Sequence, residues 1–136
     1  DGSQGIIERI RNNYYIGFAS RNITANTNIF QLGPFPANNS AGGAAYVRIC
    51  IGGIRAGWDF YGSVYEFSVV KTGQTALTIT QINQAGAPGV ITSVSGNYAV
   101  FGINYSNYSG VNVSFEILCA AAAGPGSEYI LTPSFV

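Results

Sequence analysis

Apolar and polar residues alternate without a break along Val111-Asn112-Val113-Ser114-Phe115-Glu116-Ile117. That period of two marks a strand with one face on a core and the other in water. Eight further segments share the enrichment in Val, Ile, Tyr, Phe and Thr that pleated strands favour. They lie near Tyr14 to Ile23, Thr27 to Leu32, Ala45 to Ile51, Tyr61 to Lys71, Ala76 to Ile82, Val90 to Val94, Tyr98 to Tyr105 and Glu128 to Thr132. Turn-forming groups punctuate them: Gly33-Pro34, Asn39-Ser40, Gly52-Gly53, Thr72-Gly73, Pro88-Gly89, Ser95-Gly96-Asn97, Ser109-Gly110 and Gly124-Pro125-Gly126. Short strands at such regular spacing predict an all-β protein, an antiparallel β-sandwich or jelly roll of about eight or nine strands.

One segment departs from this pattern. In Gly5 to Arg11 the residues Ile6, Ile7 and Ile10 can share one side while Glu8, Arg9 and Arg11 face water, which reads as a turn or two of helix or an extended lead-in. The expected organisation is therefore a stalk-like lead-in over residues 1–12 and one head domain over residues 13–136, the length of a single core. The chain opens at Asp1 with no initiator methionine or apolar leader, so a piece of a longer protein is expected rather than a processed mature chain.

Composition narrows the function classes. Charged residues are 9% of the chain, against roughly 25% in an ordinary domain, while hydrophobic residues are 47%. Asn, Ser, Thr, Gly and Tyr must supply the polar exterior. Lys plus Arg is 6 and Asp plus Glu is 6, so the formal charge is zero and there is no basic excess to neutralise phosphates. Nucleic acid is not an expected partner. No apolar run approaches the roughly 20 residues of a membrane-crossing helix, and no membrane insertion is expected. So much apolar surface on so small a chain predicts self-association, with a homotrimer expected.

The absent chemistry is equally informative. There is no histidine, which removes Ser-His-Asp and Cys-His nucleophilic sites, a histidine base and His-ligated zinc. Lys71-Thr72-Gly73 has the wrong order for a phosphate-binding loop, and no cofactor is expected. A glycosidase would need only two carboxylates, for which Asp59, Glu66, Glu116 and Glu128 are the candidates. Glu66 and Glu116 fall mid-strand on the polar face, where a solvated or Arg-paired carboxylate is the ordinary reading, so the chain is not expected to be an enzyme. Cys50 and Cys119 fall on opposite strand faces by parity and are expected to stay unjoined.

Binding chemistry concentrates in two places. Arg55-Ala56-Gly57-Trp58-Asp59-Phe60-Tyr61 gathers the only tryptophan, two more aromatics, an arginine and a carboxylate. The repeat Asn104-Tyr105-Ser106-Asn107-Tyr108-Ser109 lies where a strand becomes a turn. Rings stack on the C–H faces of sugars, and planar polar groups satisfy the hydroxyls. Arg55, Trp58, Asp59, Tyr105, Asn107 and Tyr108 are thus the expected ligand-binding residues, for a surface glycan. Burial of Trp58 and Phe60 in the core is the competing reading. Asn-x-Ser/Thr triplets begin at Asn22, Asn38, Asn104, Asn107 and Asn112, which would carry glycans in a secreted lectin-like or cytokine-like sandwich.

Taken together, the Ile6-Ile7-Ile10 lead-in, the Asn/Gly/Ser/Thr/Tyr-rich β body and the strand-rich C-terminal end resemble the C-terminal head of a bacteriophage tail fibre or tail needle. The resemblance implies a homotrimeric knob on the virion surface that binds a host surface receptor or glycan. No diagnostic motif is matched, so it assigns no site residues. A purely structural virion module is the further alternative.

Overall fold

Alternation along the chain becomes alternation of burial across two packed antiparallel sheets. In the computed structural model, which describes residues 5–55 and 59–136, the three longest strands are β4 (Gly42–Arg55), β5 (Asp59–Thr72) and β9 (Gly110–Ala122). Their odd-numbered residues point inward over most of their length, Val47, Ile49 and Ile51 in β4, Tyr65, Phe67 and Val69 in β5, and Val111, Val113, Phe115, Ile117 and Cys119 in β9.

The larger sheet runs β1 (Ile6–Arg11), β2 (Tyr14–Asn22), β9, β4, β5, β6 (Thr78–Gly86), with β10 (Glu128–Tyr129) added to β9. Strand β9 is its axis: it pairs with β2 from Tyr14–Leu118 to Asn22–Gly110 and with β4 from Gly42–Ala122 to Ile54–Gly110. The smaller sheet runs β11 (Thr132–Phe135), β3 (Thr27–Gly33), β8 (Tyr98–Ile103), β7 (Val90–Ser95). Each of the nine segments expected from the sequence forms strand. The last of them divides, β10 joining the larger sheet and β11 the smaller, with buried Leu131 between them. The fold is a β-sandwich.

Two expectations change. The helical reading of Gly5 to Arg11 gives way to strand β1, paired from Ile6–Phe18 to Arg11–Tyr14. A helix of two turns cannot offset its nucleation cost alone, whereas the open edge of β2 satisfies the same backbone groups at once. Gly52 and Gly53 are not a turn either; both lie within β4, opposite Gly62 and Tyr61. A side chain at Gly53 would meet the Gly110 carbonyl oxygen at 2.4 Å, so this glycine permits close approach of β9 rather than a reversal.

A column of rings joins the sheets. Phe115 of the larger sheet stacks on Phe30 of the smaller, centroids 3.9 Å apart and planes 9° from parallel. Phe30 stacks on Phe101 at 5.0 Å, Phe101 meets Phe67 at 5.4 Å, and Phe67 stacks on Tyr65 at 5.6 Å. The Phe115 ring lies over Gly17, its cross-strand partner, where an added Cβ would sit 2.1 Å from Cζ. Lys71 is buried at the far end of β5, and its ammonium donates to the Gly73 carbonyl at 2.6 Å, closing the turn that follows.

The parity argument for the cysteines holds: Cys50 is exposed on the outer face of the larger sheet, Cys119 is buried on the inner face, and both are free. Burial pushes the Cys119 thiol up to about 11. Titration in denaturant without reductant should find two thiols per chain. Gly17→Ala should cost about 1–3 kcal/mol through overpacking against Phe115. Gly52→Ala, where an added Cβ meets nothing within 4 Å, should be neutral, and urea unfolding of the two variants checks the contrast.

Candidate recognition surface

Three chain reversals gather at one end of the sandwich: the β4–β5 hairpin, the β6–β7 connection and the β8–β9 loop. Their seat is Tyr108, which is fully buried. Its ring lies against Gly89 and Gly53, where added Cβ atoms would approach ring carbons to 2.4 and 2.9 Å. Its hydroxyl lies 2.5 Å from Ser63 Oγ, and Ser63 in turn donates to the Ala87 carbonyl. Nearby, the Gly89 amide donates to Tyr65 Oη at 2.8 Å and the Asn104 amide to the Gly89 carbonyl at 2.8 Å. The Ser109 amide donates to the Ile54 carbonyl at 2.8 Å, fastening the loop to the end of β4. Desolvation raises the Tyr108 pKa above its ordinary 10.0.

Arg55 and Asp59 face each other as the last register pair of β4 and β5 and form an ion pair. The guanidinium also sits 5.2 Å from the centroid of Tyr61, which meets Tyr108 edge-on at 6.0 Å and 86°. The sequence-expected set is thereby split. Arg55 and Asp59 are together at the surface with Tyr61, and Tyr105 is 39% exposed on the β8–β9 loop. Asn107 shares that loop, which is pinned by Asn26 Oδ1 accepting from the Tyr105 amide at 2.9 Å and by Asn104 Oδ1 accepting from the Ser106 amide at 2.9 Å. Trp58 lies outside the described residues. Tyr108 is a correction: expected to be exposed, it is core, because two facing glycines leave a ring-sized slot beneath the loop.

Phe60, outside the expected binding set and weighed only as core, is 76% exposed. Its even number puts it on the outer face of β5, so strand parity was the signal that could have found it.

The remaining carboxylates form a second cluster on the outer face of the larger sheet. Glu116, Arg48 and Glu66 stand side by side on β9, β4 and β5. Arg48 pairs with Glu116, which also accepts from Tyr14 Oη at 2.9 Å; Glu66 accepts from Tyr46 Oη and from Asn83 Nδ2 at 3.2 Å. These bonds, the Tyr46 hydroxyl first, hold the Glu66 carboxyl below its usual range. Among the described residues no group of three or more metal-ligating side chains comes together.

Among solved structures, the tailspike protein of Acinetobacter phage vB_ApiP_P1 superposes on 93% of this chain with a TM-score of 0.53 and 18% identity. The tailspike of Acinetobacter baumannii phage AM24 superposes on 98%, also with a TM-score of 0.53, at 10% identity. The fold is one that phage tailspikes contain. This chain spans 23% and 29% of those two proteins, less than a third of either. Neither a family model nor a curated protein sequence matches the chain.

Tyr108→Ala should cost about 3–5 kcal/mol, as other buried aromatic truncations do, while Tyr108→Phe should cost about 1 kcal/mol for the hydroxyl contact. The raised pKa carries a sign: the stability tied to neutral Tyr108 is complete below the unfolded value and lost as pH rises through the folded value. Denaturant melts at neutral and alkaline pH should therefore show a shallower alkaline decline in the Phe variant.

Proposed function

We propose that this chain is the host-binding module of a phage tailspike or tail fibre, displayed at the virion surface as a homotrimer and working without catalysis. The observation that carries the reading is the braced apex. Loops seated on one buried tyrosine present Phe60, Tyr105, Asn107 and the Arg55–Asp59 pair from rigid strand ends. Rigid rings beside planar polar groups suit a glycan of the host cell surface, since stacking area comes at little entropic cost and the hydroxyls find fixed partners. The tailspike fold likeness supports the same direction.

The non-catalytic reading rests on the state of the carboxylates. A glycosidase acid sits in an apolar site that keeps it protonated, whereas Asp59 and Glu128 are exposed, Glu116 is paired with half-exposed Arg48, and Glu66 is held below its ordinary range by hydrogen bonds.

Binding to host cells and to their purified surface polysaccharide tests the proposal. Phe60→Ala, Trp58→Ala and Tyr105→Ala should each weaken binding by more than about 1 kcal/mol, roughly fivefold in Kd, with unfolding midpoints unchanged in the Phe60 and Tyr105 variants. The polysaccharide should elute at its original size after prolonged incubation. Normal binding in all three variants removes the apex as the site, and shortened polysaccharide removes the non-catalytic reading.

A further inference from the structure

All six lysines and arginines of the chain fall among the described residues, so the cations near the apex can be counted. Arg9 and Arg11 lie opposite Tyr15 and Tyr14, and Lys71 lies opposite Gly43, all toward the other end of the larger sheet. From Arg48 to Arg55 along β4 is roughly 23 Å at about 3.3 Å per residue. Salt screens surface charges from one another beyond about 10 Å. Arg21 stands at the apex end of β2, opposite Val111, but turns between the sheets. Its guanidinium is 5.6 Å from the Phe135 centroid, and its Nη1 donates to the Ser20 carbonyl at 3.0 Å. Arg55 is what remains, and Asp59 neutralises it. Ala56, Gly57 and Trp58 between them carry no charge. No other carboxylate among the described residues joins Asp59 there: Glu66 and Glu116 flank Arg48, Glu8 pairs with Ile16, and Glu128 pairs with Ala122 at the far end.

We infer that the apex takes an uncharged saccharide, with Asp59 as the residue that keeps Arg55 from recruiting an anionic one. The inference rests on the glycan-binding reading above and names the class of glycan.

An acidic sugar would have to exchange with Asp59, trading one carboxylate on Arg55 for another while shedding its own hydration. That exchange gains no net Coulomb energy. Asp59 also competes at the effective concentration of a tethered group, since the hairpin holds it opposite Arg55 as the last register pair. An uncharged sugar needs no exchange. A guanidinium carries five N–H donors and a carboxylate about four acceptor sites, so one contact between them leaves most of both on offer. Tyr61 beneath the guanidinium, itself edge-on to buried Tyr108, keeps the pair in place.

The loop beside the pair adds neutral donors. Asn26 Oδ1 is taken by the Tyr105 amide and Asn104 Oδ1 by the Ser106 amide, both at 2.9 Å, which leaves each side-chain NH2 as the group on offer. A backbone N–H can only donate, so chemistry sets this orientation of the two side-chain amides. Sugar hydroxyls both donate and accept, which matches a surface that combines these donors with the Asp59 oxygens. Phe60 and Tyr105 supply the exposed rings.

Polysaccharide purified from cells that the chain binds should be split by anion exchange into uncharged and acidic fractions, and the Kd for each measured at low and high salt. The native chain should bind the uncharged fraction, with Kd changing less than about twofold between about 20 and about 500 mM NaCl. Phe60→Ala should weaken that binding by about fivefold or more. Asp59→Asn, which releases Arg55, should acquire binding to the acidic fraction at low salt and lose about tenfold of it at high salt. Glu116→Gln removes the partner of Arg48 instead and changes the net charge equally, so it should acquire none. Native binding to the acidic fraction, weakened in Phe60→Ala, overturns the uncharged class and leaves the apex standing as the site. No acidic binding in Asp59→Asn, or as much in Glu116→Gln, overturns the role of Asp59. Binding to neither fraction, or binding undiminished in Phe60→Ala, Trp58→Ala and Tyr105→Ala, overturns the apex reading and this inference with it. The native chain decides the class of ligand even if a variant fails to fold.

Discussion

The stack of Phe115 on Phe30 is the contact through which the two sheets become one structure, and much of the rest follows from its geometry. Phe115 comes from β9, the strand that β2 and β4 both pair with, so the ring's position sets where the whole larger sheet lies over the smaller one. The ring fits only because Gly17 lies beneath it. From Phe30 the column continues through Phe101 and Phe67 to Tyr65, whose hydroxyl receives the Gly89 amide. The packing that joins the sheets therefore reaches the loops at the apex, and these loops are held by the core rather than by their own short sequences. Close packing transmits such placement because interiors tolerate little misfit.

At the apex the same tripeptide meets two fates. Asn104-Tyr105-Ser106 sends its tyrosine toward solvent, while Asn107-Tyr108-Ser109 buries its tyrosine completely. Local propensity cannot separate them, since the residues are identical. What separates them is the slot between Gly53 of β4 and Gly89 of the β6–β7 connection, both well removed in sequence. A hydroxyl in that slot needs a partner, and Ser63 provides it.

The larger sheet's outer face carries a different balance of forces. Exposed ion pairs contribute little to stability because water competes and salt screens them. Arg48 is half exposed in its pair with Glu116, so the pair adds little to the fold of the single chain.

How much of this was legible in the sequence depends on how far the deciding contact reaches. The nine expected strand segments, the inward and outward faces of the runs Ala45 to Ile51 and Val111 to Cys119, and the separation of Cys50 from Cys119 followed from the sequence alone, because a period of two is a local property of the pleat. Parity put Glu116 and Arg48 on outward faces, but that the two pair was decided by the register of β4 against β9. The strand at Ile6 to Arg11, the burial of Tyr108, the role of Gly53 and the pairing of Arg55 with Tyr61 were decided only by tertiary structure. Each depends on a partner in another strand or loop: an open edge of β2, a slot between two distant glycines, the path of β9, the register of a hairpin. Propensity and periodicity describe a residue's neighbours along the chain, and at these positions the neighbours that matter lie across it.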